Sequence, residues 1–207
     1  MERPLDKIRL VILKGSVRPG NYTSMAAALV EDELKQHPRV SVETIDPAQL
    51  DLPLPGTASR SNELDQLRRK VAAATGVVLA TPEYHGSYSS VMKLLIENFG
   101  HPSPLFAKPV ALLGVAGGTI GAIKALEHLR SVVSHIGGIV LPLPISVANV
   151  QRVFDEQGRC LDPDAERLIR SVATNLLQYI EQNVCPRVML ERLQQAERKV
   201  SPHIVGI

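Results

Sequence analysis

The stretch "IRLVILKGSVRPGNYTSMAAALV" (8–30) decides how the rest of the chain is read. Ile8–Leu13 is mostly apolar and short, as a strand is. Lys14–Tyr22 is rich in Gly, Ser, Asn and Arg. Thr23–Gln36 has the spacing of a helix. A helix N-terminus presents free N–H groups and a partial positive charge, so it attracts anions. Ser16, Asn21, Thr23 and Ser24, with Tyr22 among them, supply further donors. Arg18 can pair with a phosphate through charge-assisted hydrogen bonds, and Gly15 and Gly20 let the backbone bend. The loop lacks G-K-[ST], so no lysine or hydroxyl is set for a triphosphate with magnesium, and it lacks G-x-G-x-x-G. A terminal phosphate monoester fits. An ordinary helix cap by Asn21 or Thr23 fits as well, and Arg18 tips the balance toward phosphate.

Outward from this unit the pattern repeats. "VSVETI" (40–45), "GVVLATP" (76–82), "PVALLGVA" (109–116) and "GGIVLPLPISV" (137–147) read as strands. Several are apolar at nearly every position, as strands covered on both faces are. Helical patterns occupy 62–74, 88–99, 119–136 and 163–183. Strict alternation predicts an α/β, doubly wound, flavodoxin-like three-layer sandwich. Its five-stranded parallel sheet has order 2-1-3-4-5, with helices on both faces. One domain over 1–184 is expected, followed by a tail, 185–207, read as an oligomer arm or a mobile segment. In helix 119–136, Ala122, Leu126, Leu129, Val133 and Ile136 share the core face. Helix 88–99 carries Val91, Met92, Leu94, Leu95, Ile96 and Phe99 round most of its circumference. That suits either a partner subunit or a tight monomer core.

In this fold class, ligands lie beyond the carboxyl ends of the strands at the switch point between strands one and three. Two more chemistry-bearing loops fall there. "TPEYHGSYSS" (81–90) offers backbone amides after Pro82, a flat wall and a polar group from Tyr84 and His85, and a turn at Gly86. Glu83 has no partner carboxylate, His85 sits in no nucleophile or metal-ligand spacing, and "GSYSS" is not a nucleophile elbow. "GVAGGTIGA" (114–122) is followed by a strand that does not end in an acid, so a ribose-binding dinucleotide site is unsupported. Gly117 and Gly118 read instead as a flat shelf for a planar ring, or as a plain turn. A phosphate site, a ring wall and a glycine shelf in one crevice describe a flavin mononucleotide pocket, in which the flavin carries the chemistry and the protein orients it.

Composition narrows the rest. The 207 residues carry a net charge of only +2, with 44% hydrophobic and 21% charged residues, as an ordinary globular chain does. Nucleic-acid binding lacks electrostatic support. Three Phe, four Tyr and no Trp leave little for a base-stacking platform. No signal peptide and no window near the ~18 apolar residues of a membrane span is seen. Cys160 and Cys185 read as free thiols of a reducing compartment. The expected location is the cytoplasm, and no metal site is expected.

With these residues in view, the chain resembles the NADPH-dependent FMN reductase family over about Ile8–Glu181. "GSVRPGNYTSMAAALV" is similar to that family's G-S-x-R-x-x-S-x-N loop and "TPEYHGSY" to its T-P-E-Y-N-G-S segment. "DLPLP" is similar to its L-P-L after strand two, and "GGTIGAIKALEHLR" to its G-G-x-x-G helix start. The resemblance implies non-covalent FMN, with NADPH as co-substrate. A hydride would pass through flavin N5 to a small-molecule acceptor: a flavin, a quinone, an azo or nitro compound, or a metal oxyanion. No side chain would act as a covalent catalyst. It implies Ser16 and Arg18 on the FMN phosphate, and Glu83, Tyr84 and Gly86 along the isoalloxazine mostly through backbone, beside Gly117 and Gly118. It also implies a homodimer or homotetramer whose partner helps wall the flavin. Asn21, Thr23 and His85 depart from the family's Ser, Asn and Asn, and His85 would sit near the ring. The rival readings are a flavodoxin-like electron carrier without NAD(P)H chemistry, disfavoured by Arg18 and a sequence pI near 8.6, and a non-flavin protein that keeps the fold.

Overall fold

Successive side chains of the strand Ile8–Lys14 (β1) enter two different cores. Leu10 and Ile12 pack with Ala26, Val30 and Leu34 of helix Tyr22–Lys35 (α1) and with Ile169, Val172 and Leu176 of helix Pro163–Tyr179 (α6). Val11 and Leu13 pack on the opposite face. Their partners there come from helices Asn62–Ala73 (α2), Ser90–Asn98 (α3) and Ile123–His135 (α4). A sheet buried on both faces needs apolar residues at every position, which is why the strands read as continuous runs. The computed structural model describes residues 7–57 and 62–200.

The remaining strands are Val40–Ile45 (β2), Gly76–Tyr84 (β3), Ser87–Tyr88 (β4), Pro109–Val115 (β5), Ile139–Val140 (β6) and Ile145–Val147 (β7). The parallel sheet runs β2-β1-β3-β5-β6, with β7 also on β5. This is the expected 2-1-3-4-5 order, with two departures. The expected fifth strand, 137–147, is broken into β6 and β7. Pro142 and Pro144 have no N–H to give the ladder, and Leu143 takes φ 60°. Val110 pairs with Val140 and Leu113 with Ile145, so residues 141–144 oppose only 111–112 as a bulge. The other departure is β4, which folds back antiparallel on β3.

Two helices differ from their expected bounds. α4 begins at Ile123 rather than Thr119, because Gly121 turns the chain at φ 76°. α6 does not stop at 183. It widens into a π-helical turn at Ile180–Val184, where the Cys185 N–H bonds to the Ile180 carbonyl, and continues as Cys185–Val200 (α7). Pro186 explains the widening: an α-helical register would press its ring on the carbonyl of Gln182. Residues 185–200 of the expected tail are therefore helical, and 201–207 lie outside the described residues. Arg170 ties α6 to α1 through Asp32 at 2.7 Å and Glu33 at 3.4 Å.

Candidate functional site

The loops after β1 and β3 are held together by a buried polar network. The Gly15 N–H bonds to the Ala80 carbonyl at 2.7 Å. Ser89, the cap of α3, donates its hydroxyl to the Gly15 carbonyl at 2.5 Å and accepts from the Met92 N–H at 3.0 Å. The Thr81 hydroxyl accepts from the Ser89 N–H at 3.1 Å. Thr81 and Ser89 are both buried. These buried bonds, with one from the Thr81 hydroxyl to the Pro82 carbonyl at 3.0 Å, fix the relative position of the two loops, since breaking one leaves an unpaired group in the core.

The first loop ends at α1. Asn21 caps this helix: its side-chain oxygen accepts from the Ser24 N–H at 2.8 Å, and its amide donates to the Arg18 carbonyl at 2.6 Å. The next two amides, Tyr22 and Thr23, have no partner among the described residues. The cap is neutral, and no acid stands in the first turn. The start of α1 therefore keeps both free donors and its partial positive charge. The Tyr22 ring stacks on Phe154 at 6.5 Å. The Arg18 guanidinium lies 5.0 Å from the centre of the Tyr84 ring, joining the first loop to the second.

The second loop is a two-residue hairpin between β3 and β4. His85 at φ 50° and Gly86 at φ 75° are its central residues, with Tyr84 paired to Ser87. Two successive positive φ angles define the turn type for which Asn-Gly is the preferred pair. His85 is exposed at its tip. The Glu83 carboxylate accepts from the Ala125 N–H of α4 at 3.2 Å, so its side chain points at that helix.

The third loop runs from Ala116 to Ala122. Gly117 accepts from the Gln151 side-chain amide at 3.1 Å. Gly118 accepts from the Gly121 and Asn149 N–H groups. A Cβ at Gly118 would meet nothing within 4 Å, so this backbone is an open surface.

A cleft of about 290 Å³ lies where the three loops meet. It brings together Arg18, Asn21, Tyr22, Thr23, Pro82, Glu83, Tyr84 and Gly117 of the expected residues. Ser16 and Ser24 face a second cleft of about 530 Å³ across the 18–21 wall, which Arg18 and Asn21 also line. Lys14 and Asp46 pair there at 2.7 Å. Burial pushes the Asp46 carboxyl up, but its bonds with the Lys14 ammonium and the Ala48 N–H outweigh that and hold it below its ordinary value. His85, Gly86 and Gly118 line neither cleft. Sequence reasoning missed Val150 and Gln151 in the wall of the smaller cleft. They belong to the four-residue helix Val150–Val153 (α5) beyond the carboxyl end of β7. Their position after a sheet strand was the available signal. Among the described residues no group of three or more His, Cys, Asp or Glu could hold a metal ion, and no helix is long and apolar enough to cross a membrane.

Residues 8–151 match the sequence model of the family described as NADPH-dependent FMN reductase. An NAD(P)H-dependent FMN reductase of Pseudomonas aeruginosa is 32% identical over 170 residues, covering 80% of this chain and 91% of that one. An FMN-dependent NADPH-azoreductase of Staphylococcus aureus is 30% identical over 168 residues, covering 78% and 88%. Among solved structures, the flavoenzyme NAD(P)H:(acceptor) oxidoreductase of Paracoccus denitrificans superposes with a TM-score of 0.70 at 20% identity, over 84% of this chain and 98% of that one. With a family match over residues 8–151 and relatives of this similarity, the chain belongs to the NADPH-dependent FMN reductase family.

Proposed function

We propose that this protein carries FMN non-covalently in the smaller cleft and uses it to pass electrons from NAD(P)H to a small-molecule acceptor. One observation carries the reading. A neutrally capped helix start with the Tyr22 and Thr23 amides unpaired opens on the same cleft as the Tyr84 ring and the Gly117 backbone. Those donors suit a phosphate monoester, and the ring and the open glycine backbone suit a flat heterocycle.

The residues present fit that cofactor. Bound FMN supplies the hydride and electron chemistry. The chain's own groups bind and orient it. The amides at 22 and 23, with Arg18 and the Thr23 hydroxyl, hold the anionic end in that cleft, while Ser16 and Ser24 lie across the 18–21 wall. Pro82, Glu83, Tyr84 and Gly117, which line the cleft, flank the ring. Arg18 leaves or shares its stack on Tyr84 to reach the phosphate, a move within reach of a cation–π contact of about 0.5–1 kcal/mol at an exposed site. No side chain in the cleft has the partner geometry of a nucleophile or an acid–base pair, so positioning of co-substrate and acceptor is the chain's contribution to rate. The acceptor class we favour is an aromatic quinone, azo or nitro compound or a free flavin, each flat enough to approach the Tyr84 and Gly117 surface. A homodimer or homotetramer is the expected assembly, with Val91 and Leu94 of α3 half-buried and Met189 and Leu190 of α7 exposed.

The direct test is the visible spectrum and the NADPH- and NADH-oxidising activity of the purified protein after incubation with FMN and desalting. Retained FMN with oxidation of either nucleotide supports the reading; protein that stays colourless refutes it. Arg18→Ala is expected to weaken FMN binding about tenfold or more, as the loss of a charge-assisted hydrogen bond does.

A further inference from the structure

The ring-side hairpin, residues 84–88, is docked along α4 at successive positions of one helix. The Glu83 carboxylate bonds to the Ala125 N–H at 3.2 Å. A Cβ at Gly86 would lie 3.7 Å from Cδ of Lys124. The Ser87 hydroxyl lies 3.1 Å from His128 Nδ1. α4 has no side-chain cap of its own, since Ala122 occupies that place. The third amide of the helix is therefore satisfied from outside, by a carboxylate that the helix dipole favours. The family resemblance implies Glu83 along the ring mostly through its backbone; in the structure Glu83 is among the residues lining the cleft and its carboxylate is engaged by the Ala125 N–H.

We infer that Glu83 is a positioning residue. Its carboxylate locks the β3–β4 hairpin to the start of α4. Pro82–Tyr84, at the root of that hairpin, and Gly117, whose loop leads into α4, then form one rigid surface for the flavin ring. The inference rests on the FMN reading for its consequence, but the lock itself is a property of the protein without cofactor. It depends on reach and on an acceptor oxygen, so three substitutions separate its parts. Glu83→Gln keeps the length and an acceptor oxygen and loses the charge. Glu83→Asp keeps the charge and loses a methylene of reach. Glu83→Ala loses both.

The experiment measures amide hydrogen exchange across residues 82–88 and 122–126 in cofactor-free protein. FMN dissociation constants and the midpoint potential of bound flavin are measured on the same preparations. In Glu83→Asp and Glu83→Ala, exchange in both segments is expected to rise at least tenfold, FMN binding to weaken about tenfold, and the potential to move. Glu83→Gln is expected to stay within about threefold of wild type in exchange and binding. Should Glu83→Ala fail to fold, the contrast between Asp and Gln carries the test alone. Unchanged exchange in Asp, or Gln behaving like Asp, overturns the lock. Wild-type protein that binds no FMN while showing the exchange contrast overturns the FMN reading and leaves the lock standing.

Discussion

The β1–α1 and β5–α4 junctions have the same plan and opposite electrostatics. Each leaves a central strand, passes a glycine-containing loop and enters a helix whose first two amides lack partners among the described residues. In each, the third amide is satisfied by a side chain: Ser24 by Asn21, Ala125 by Glu83. The difference is one charge. Asn21 is neutral and local, so α1 keeps its affinity for an anion. Glu83 is a carboxylate brought from another loop; it occupies the third amide of α4 and sets a negative charge there, offset in part by Lys124 in the same turn, so a phosphate is less favoured at α4 than at α1. Two glycine loops with this pattern could be mistaken for two phosphate sites. The caps leave one, which suits a mononucleotide with its phosphate at α1 and its ring toward α4.

The junctions also differ in how tightly their glycines are enclosed, and the largest expected effect follows from that. Gly121 has φ 76°, and an added Cβ would lie 2.4 Å from the Ser146 hydroxyl, which accepts the Ala122 N–H. Gly121→Ala is expected to cost about 2–3 kcal/mol, from left-handed strain plus overpacking. Gly20 has φ 61° but nothing within 4 Å of an added Cβ, so Gly20→Ala is expected to cost only about 1 kcal/mol. Denaturant unfolding of the two variants checks the order. Equal losses would mean that enclosure does not distinguish the two loops.

Asn21→Asp tests the electrostatic half directly by giving α1 the charge that α4 has. The carboxylate still caps Ser24, but its second oxygen replaces the amide that donates to the Arg18 carbonyl, so stability is expected to fall by about 0.5–1.5 kcal/mol. FMN binding is expected to weaken at least tenfold, because a charge about 4 Å from the phosphate costs roughly 1–4 kcal/mol between water and a protein surface. Fluorescence titration with FMN and with riboflavin, which lacks the phosphate, reads it. The loss should appear for FMN only. An equal loss for both ligands would move the phosphate away from α1.

How far these differences were legible depends on whether they are local. β1, its loop and α1 are set by neighbouring residues: an apolar run, then small and polar residues, then a helical pattern. The start of α1 was placed within one residue, and the core face of α4 is the one its spacing predicted, with Ala122, Leu126, Leu129 and Val133 buried. The parallel layered class followed from alternation, and the strand order from the flavodoxin-like class that five alternating strands fit. What was not legible comes from distant pairing. The direction of the Glu83 carboxylate depends on an amide 42 positions away. Ser89 caps α3 through a local bond, but its second bond, to the Gly15 carbonyl 74 positions away, is set only by the fold. The 137–147 run carries strand-like residues throughout, and only its two prolines foretell the bulge. Val150 and Gln151 enter the cleft because that bulge and β7 carry the chain back across the strand ends, which no residue pattern between 148 and 153 announces. Pro82, Glu83 and Tyr84 of the P-E-Y segment line the smaller cleft, while His85 is the tip of a tight turn and lines neither cleft.

The smallest expected effect concerns the second cleft, behind the phosphate loop, where Lys14 and Asp46 join the ends of β1 and β2. Despite burial, bonds from Lys14 and the Ala48 amide hold the Asp46 carboxyl below its ordinary value in the folded protein. An acid with a depressed folded pKa contributes stability above its unfolded pKa, about 3.9, and loses it as pH falls through the folded value. Asp46→Asn should therefore cost about 0.5–1 kcal/mol at neutral pH, the range for a pair partly open to solvent. The cost should shrink as pH drops below about 4 and vanish once the wild-type carboxyl is protonated. Because the pair stands outside the smaller cleft and offers α1 no charge of its own, FMN affinity should stay within about twofold, well short of the 1.4 kcal/mol that a tenfold change represents. Urea unfolding from pH 3 to 7 beside FMN titration at pH 7 checks both halves. A tenfold gain of FMN affinity in Asp46→Asn, from the lost carboxylate and the freed Lys14 ammonium, would place the phosphate on the β2 side of the 18–21 wall, with Ser16 and Ser24 rather than with the Tyr22 and Thr23 amides.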